Sequence, residues 1–249
     1  MKIAVCVKEI YNLEQVKIVR ETREPILDVP KKLDDLSRNA LEEAIKIREK
    51  LGGEIVAISA GSPELRKTIK EALAMGADRA AIVTDFTESS PESAALVLSR
   101  ILEKDSYDLI LLGDASSDDY SGQMASRVAE TLDLPQITFV SEIREVSDGK
   151  ITCVRDMDDY IEVVESDLPC VVSVTNEINE PRIPALKDIL KASKKPVENF
   201  SLQDLGIEIS RSYEIVENLA PAVDRKQEVI EGEAAEVAGK IAEIIGREV

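Results

Sequence analysis

The 249-residue chain has no histidine and no tryptophan. Without histidine it lacks the usual general base at neutral pH and the commonest metal ligand. Aromatic residues make up only 3 % of the sequence, so the core must be aliphatic, and the 44 % hydrophobic content is ample to build one. The three cysteines, Cys6, Cys153 and Cys170, have no C-x-x-C spacing. They read as buried thiols of a reducing compartment, not as a zinc site or a disulfide framework. No apolar run approaches the roughly 18 residues of a membrane span, and Met1 leads directly into a strand-like segment. Neither a transmembrane helix nor a signal peptide is expected, and the location reads as cytoplasmic. Basic residues are outnumbered 31 to 49, a net charge of −18, which argues against nucleic acid or an anionic membrane as the main partner. No Walker lysine motif and no G-x-G-x-x-G occur, so neither a P-loop nor a standard dinucleotide fingerprint is available.

Short β-rich runs alternate with amphipathic helical segments, the pattern of a parallel sheet wrapped by helices. Strands are expected at 2–7, 54–60, 80–83 and 108–113, with a hairpin arm at Val16–Arg20. A first helix places Leu36, Ala40, Ala44, Ile47 and Leu51 on one stripe and stops at Gly52-Gly53. A second starts with Ser62 as N-cap and Pro63 at the first helical position and ends at Gly76; Ser90-Pro91 repeats that chemistry for a third. A fourth helix buries Met124, Val128, Ala129 and Leu132 and ends at Leu134-Pro135. Residues 137–164 alternate as antiparallel edge strands around a turn at Asp148-Gly149, and 168–174 returns to the core. Residues 201–223 carry little pattern, and a last amphipathic helix covers 233–246. The expected fold is α/β: a mostly parallel, doubly wound (Rossmann-like, adenine-nucleotide-binding) sheet with helices on both faces, an antiparallel edge and a C-terminal arm. The expected division is a nucleotide-binding domain at 1–195 and an arm at 196–249 that must lie on something, since it has no core of its own.

Two loops invite chemistry. Gly113-Asp114-Ala115-Ser116-Ser117-Asp118-Asp119-Tyr120-Ser121-Gly122-Gln123 joins a buried strand to the helix opening at Met124. In a doubly wound sheet that carboxyl-end crevice is where nucleotides bind, with small residues admitting a phosphate to free helix N–H groups. A solvated loop whose Asp118 or Asp119 merely caps the helix is the plainer alternative. The second loop, Ile178-Asn179-Glu180-Pro181-Arg182-Ile183-Pro184-Ala185-Leu186, runs into a basic helix carrying Lys187, Lys191, Lys194 and Lys195. A proline-stiffened loop of this kind is costly to order without a partner that reads it. Glu180 and Arg182 are also spaced to form a local salt bridge, and the lysines to form a solvated face or to steer an acidic partner.

This second segment resembles the signature of electron transfer flavoprotein beta subunits, "LNEPRY…LP.I.KAKKKP". Further matches are Ala72-Leu73-Ala74-Met75-Gly76-Ala77-Asp78-Arg79, Leu41-Glu42-Glu43-Ala44, Lys8 at the end of the first strand, and Asp204-Leu205-Gly206. The first loop is similar to the family's "GKQAIDDDxNQTG" segment, keeping Gly113, Ala115 or Ser116, Asp118, Asp119 and Gln123. It departs at Asp114 and Tyr120, and Gly122 replaces an Asn. The resemblance implies a pocket for AMP, or for a second FAD, lined by loop 113–124, by Cys6 and Ala60 at two strand ends, and by Asp34, Leu36 and Ser37. It implies an FAD-bearing alpha subunit as partner in a heterodimer, and electrons passing from dehydrogenases of fatty acid oxidation to a quinone reductase. Loop 176–186 would recognise the donor, with Ile178 as apolar anchor, and the acid of Arg155-Asp156 would face the mobile flavin domain of the alpha subunit, a surface ion pair being the plainer alternative. The chain would then be an electron carrier rather than an ordinary enzyme. If its pocket holds FAD, the assembly is instead an NADH-oxidising bifurcating enzyme. A stand-alone adenine-nucleotide sensor of the universal-stress type is the rival from another class, and a nucleotide hydrolase lacks a metal cluster or activated nucleophile.

Overall fold

A computed structural model describes residues 1–87, 90–147, 149–209, 215–222 and 228–248. The first half is a run of strand–helix units. β1 (Lys2–Cys6), β2 (Glu9–Tyr11), β3 (Lys17–Ile18), β4 (Pro25–Ile26) and β5 (Lys31–Leu33) precede α1 (Asp35–Leu51). β6 (Glu54–Ala60), α2 (Leu65–Met75), β7 (Arg79–Val83), α3 (Pro91–Leu102), β8 (Leu109–Gly113) and α4 (Met124–Leu132) follow. Then come β9 (Gln136–Ser147), β10 (Lys150–Asp156), β11 (Ile161–Asp167), β12 (Cys170–Val174), α5 (Leu186–Ala192), β13 (Val197–Phe200) and α6 (Ala234–Glu248).

Nine strands form one sheet in the order β11-β10-β9-β12-β8-β1-β6-β7-β13. Six strand pairs from β9 to β13 run parallel, and β9, β10 and β11 form the antiparallel edge. The central strands are continuous apolar runs because both faces are covered. On one face Ile3, Val5, Ile55 and Leu111 pack with Leu41, Ile45, Ile69 and Leu73 of α1 and α2. On the other, Ala4, Ile58, Ile110 and Leu112 pack with Val97 and Ile101 of α3 and Val128 of α4. The chain therefore winds from β1 outward to β6 and β7, then crosses back to lay β8 on the other side of β1. The carboxyl ends of β1 and β8 form the topological switch point, the site of the crevice in open α/β sheets.

Most boundaries follow the sequence, and two depart for physical reasons. α2 begins at Leu65 with no side-chain cap, because the Ser62 hydroxyl accepts from Lys31 Nζ (3.0 Å) and donates to Glu64 (2.6 Å) instead. α3 starts as expected, with Ser90 Oγ accepting from Ser93 N at 3.1 Å and Pro91 in the first turn. β13 has only two apolar residues, too few for a visible pattern, yet it pairs with β7 from Val197↔Ala80 to Phe200↔Val83. Arg79 holds it there, bridging Glu198 (2.9 Å), Glu54 (2.8 Å) and Asp105 (2.6 Å) at the amino end of the sheet. Of the turn expected at Asp148-Gly149, Asp148 lies outside the described residues; Gly149 adopts φ 76°.

The larger compact unit comprises Met1–Lys17 and Ile26–Val216, so residues 197–209 lie with the sheet, Leu205 and Ile207 packing under β7 and α3. The smaller unit comprises Ile18–Pro25 and Glu217–Val249, where Ala220 N donates to Arg23 O at 2.9 Å. Its helix α6 leaves Ile241, Ile244 and Ile245 exposed. Among the described residues no helix is long and apolar enough to cross a membrane.

Candidate functional site

At the switch point β8 ends on Gly113, where a Cβ would lie 2.7 Å from Leu36 Cβ. Only glycine lets the start of α1 press against the end of β8. The tie between the two is Asp34, fully buried and N-cap of α1. One carboxylate oxygen accepts from Ser37 N at 3.1 Å, and the other accepts from Ser117 N at 2.8 Å. Asp34 N donates to Lys8 O (3.0 Å), and Lys8 N donates to Ser37 Oγ (3.0 Å). A single buried residue thus joins the segment after β1 through its backbone N–H, and the first turn of α1 and the loop after β8 through its carboxylate. Charge-assisted bonds of this kind are among the stronger ones available.

Lys8 reaches over the crevice. Its ammonium donates to Ser116 Oγ at 3.0 Å, Asp118 Oδ1 at 2.7 Å and Asp119 Oδ2 at 2.9 Å. Burial draws its pKa down, but the two carboxylates outweigh this and leave it above 10.5. Burial likewise pushes Asp119 up, and the bond from Lys8 brings it net below its ordinary 3.8. Both signs agree: the clamp is intact from the ordinary carboxylate pKa up to that of lysine. It is lost as pH falls through the depressed pKa of Asp119 or rises through the elevated pKa of Lys8. The loop then turns through Tyr120 (φ 49°) and Gly122 (φ 64°) into α4. That helix has no side-chain cap and no acid in its first turn. Its terminal N–H groups are therefore left without a side-chain acceptor at the positive end of the helix dipole.

Two polar atoms at this edge have no partner. Asp114 N donates to Val174 O at 2.9 Å, which sets Asp114 beside Thr175 at the ends of β8 and β12. Asp114 Oδ1 and Thr175 Oγ1 are both buried without a hydrogen bond. Burial raises the Asp114 carboxyl; backbone N–H groups of Ala115 and Asp114 offset part of this, and Glu177 and Asp34 add to it. Orphaned buried acceptors cost about 1–3 kcal/mol each.

The second loop is stapled to α1 through long-range contacts. Arg182 donates to Glu42 through Nε (2.8 Å), Nη2 (2.9 Å) and its backbone N (3.1 Å), and to Glu49 through Nη1 (2.7 Å). Glu180 is therefore not its partner, because the α1 carboxylates offer a fork the local one does not. Asn39 and Asn179 exchange side-chain-to-backbone bonds at 2.8 and 3.0 Å. Ile178 packs against the core, whereas Ile183 is 91 % exposed, Leu186 73 % and Leu190 67 %. Lys195 is no member of a solvated face: its ammonium caps the end of α2 through Leu73 O (2.8 Å) and Ala77 O (2.7 Å), and burial lowers its pKa. Lys187 and Lys191 line a groove of about 420 Å³ with Arg48 and Arg182. Arg155 is held by Glu162 (2.8 Å) and Thr138 O (2.7 Å) across the antiparallel edge.

The model of the electron transfer flavoprotein domain matches residues 27–205, well over half of the chain. The chain belongs to the electron transfer flavoprotein beta-subunit family. A relative named "Electron transfer flavoprotein subunit beta" from Thermoanaerobacterium thermosaccharolyticum is 33 % identical over 98 % of this chain and 97 % of its own length. One of the same name from Bacillus subtilis is 33 % identical over 100 % of this chain and 98 % of its own length.

Within this flavoprotein fold, the candidate residues gather in one place. Cys6, Ala60 and Gly113 stand at the carboxyl ends of three neighbouring strands, β1, β6 and β8. Asp34, Leu36, Ser37 and the loop 113–124 close around those ends. Burial pushes the Cys6 thiol up to about 12, so it is a wall and not a nucleophile. The sequence reading missed two groups. Lys8 entered only as the end of a match, although it is the first charge after an all-apolar strand that points at the crevice. Thr175 gave no signal, since its position opposite Asp114 depends on strand pairing.

Proposed function

We propose that the crevice binds the adenylate end of a nucleotide, with its phosphate at the uncapped N-terminus of α4. The chain then serves as the beta half of a heterodimeric electron carrier whose FAD is held mainly by the alpha subunit. The observation that carries the reading is the free helix terminus at the switch point, on a loop pinned by buried Asp34. The residues fit the group: Gly122 keeps the backbone open, Cys6 and Ala60 supply apolar strand ends, and orphaned acceptors wait at the same edge. AMP and FAD share this adenylate end, and an FAD here would supply the redox chemistry of an NADH-oxidising, bifurcating assembly. The chain's own part is to bind, orient and exclude water, which calls for no acid–base group and agrees with the absence of histidine. Family membership along nearly the whole chain supports this reading over a stand-alone stress-type sensor.

The exposed side chains of Ile183, Leu186 and Leu190, beside Lys187 and Lys191, form the docking surface for donor dehydrogenases, whose electrons pass through the alpha-subunit FAD to a quinone reductase. An apolar centre with a basic rim on an otherwise acidic chain selects a partner with an acidic rim. Ile183 takes the anchoring role that Ile178, packed on the core, leaves free.

Gln123→Asp tests the crevice. An aspartate at that N-cap occupies the helix N–H groups, stabilising α4 by about 1 kcal/mol, and places a charge where the phosphate would lie. AMP binding to the full chain, followed by titration calorimetry, is expected to weaken about tenfold or more while the unfolding midpoint holds or rises. Undiminished AMP binding in the variant would place the phosphate elsewhere.

A further inference from the structure

Among the described residues, five side-chain atoms are buried with no hydrogen-bond partner: Asn12 Oδ1, Arg38 Nε, Ser99 Oγ, Asp114 Oδ1 and Thr175 Oγ1. The last two occupy matching positions on adjacent strands. Gly113 pairs with Val174, and Asp114 and Thr175 are the next residue of each strand, joined through the bond from Asp114 N to Val174 O at 2.9 Å. Thr175 is moreover the N-cap of a short 3-10 turn at Asn176–Ile178 and leaves that turn uncapped. A threonine at an N-cap ordinarily spends its oxygen on the helix, so here the hydroxyl is held back from its local use. Buried polar atoms are otherwise nearly always satisfied, and two orphans at one strand edge require a common explanation.

The chemistry of the pair restricts what satisfies it. A carboxylate oxygen accepts only, and a hydroxyl both accepts and donates. Asp34 and Glu177 face Asp114 as further negative charges, so a phosphate is repelled from this corner. Lys8, the ammonium at the crevice, is committed to Asp118 and Asp119. What fits is the uncharged, donor-bearing portion of the ligand.

We propose that Asp114 and Thr175 together read a hydrogen-bond donor on the nucleoside portion of the bound nucleotide, a ribose hydroxyl or the exocyclic amine of adenine, and so determine which nucleoside the crevice accepts. This deepens the nucleotide reading above and rests on it. The phosphate end is left to the N-terminus of α4, at the far end of the same loop. The division of labour gives each half of the ligand its own determinant: an open helix terminus for the anion and two buried acceptors for the donor. A site with buried acceptors discriminates against an analogue that lacks the donor, because binding that analogue buries the acceptors for good without a partner.

The test is titration calorimetry of the full chain with AMP, 2′-deoxyadenosine monophosphate and inosine monophosphate. It is repeated for Asp114→Ala and for Thr175→Val, the latter near-isosteric and expected to fold unchanged. The wild-type chain is expected to bind AMP about tenfold or more tightly than one of the two analogues. Preference against the deoxy compound identifies the ribose hydroxyl, and preference against the inosine compound identifies the amine. In both variants the ratio, whatever the absolute affinity, is expected to fall below about threefold. A purely structural role for the two residues would alter all three ligands alike and leave the ratio unmoved. AMP binding with no discrimination, or discrimination that survives both substitutions, would overturn the inference and leave the nucleotide crevice standing. Failure of the wild-type chain to bind any of the three nucleotides would overturn both.

Discussion

Replacing Arg182 by leucine lowers the unfolding free energy by about 3 kcal/mol, because it leaves a buried carboxylate without its counter-charge. The Glu42 side chain is only 6 % exposed, and its recorded hydrogen bonds come from the side chain and backbone of Arg182. The guanidinium is 39 % exposed, so the loss sits at the low end for a broken buried pair. For a chain of this length the unfolding midpoint drops by roughly 6–12 °C. The asymmetry of the pair supplies the control. Removing Glu42 and Arg182 together, each to leucine, is expected to recover most of the loss, since neither charge is then left unpaired. Glu49→Ala is expected to leave the midpoint unchanged, because that carboxylate stands in solvent. A single R182L variant as stable as the parent, or a double variant no better than the single, would contradict this account of the loop. The loop then loses its guanidinium tie to α1 and keeps its Asn179 bonds, and, on the docking role proposed above, R182L is expected to weaken capture of a donor dehydrogenase.

Replacing Asp34 by alanine has a comparable effect by another route. The carboxylate caps α1 through Ser37 N and tethers Ser117 N, and it is fully buried. Loss of the cap costs about 1 kcal/mol, and loss of the charge-assisted bond from the part-buried Ser117 N–H adds about 1.5–3 kcal/mol. A total near 3 kcal/mol is expected, and on the proposed nucleotide reading affinity is expected to fall with it, because the loop 113–124 is no longer held at its geometry. Asp34→Asn keeps one acceptor oxygen where two are needed, so it falls between parent and alanine variant. Amide hydrogen exchange is the measurement that separates the contributions: Ser37 and Ser117 are expected to lose protection together in D34A, while amides of β6 and β7 keep theirs. Retained protection at Ser117 would show that the loop is held by something other than this carboxylate.

Much of this fold is legible in the sequence because the determining forces are local or periodic. β6 is read residue for residue, since a seven-residue segment with five apolar residues between Gly53 and Gly61 has no other economical use. The start of α3 is likewise marked by Ser90-Pro91, whose cap forms as the residues imply. Ser62-Pro63 carries the same marks and fails, because Lys31, distant in sequence, claims the serine hydroxyl. The strand β13 was invisible for the same class of reason. Its place depends on Arg79 reaching Glu198, and no period in Val197–Phe200 announces that.

The site divides along the same line. Gly113, the loop after it and the helix opening at Met124 form one contiguous segment, so their role at the switch point can be read directly. The partners of that segment cannot. Asp34 and Lys8 meet it across 83 and 108 residues of chain, and Arg182 meets Glu42 across 140. Sequence proximity suggested Glu180 as one partner for Arg182, and the packing of the loop on α1 decides otherwise; Ile178, the anchor that the family resemblance implied, is partly buried against the core.

The central claim is that this family member couples an adenine-nucleotide crevice of its own to a flavin carried by an alpha subunit. The most direct measurement is a visible absorption spectrum, with analysis of released nucleotides, on the chain co-purified with its alpha subunit. The account predicts a flavin-bearing heterodimer with one adenine nucleotide beyond the alpha-subunit FAD: AMP for the ordinary carrier, a second FAD for the bifurcating form. A heterodimer whose only nucleotide is the alpha-subunit FAD, or no complex and no flavin at all, would contradict it.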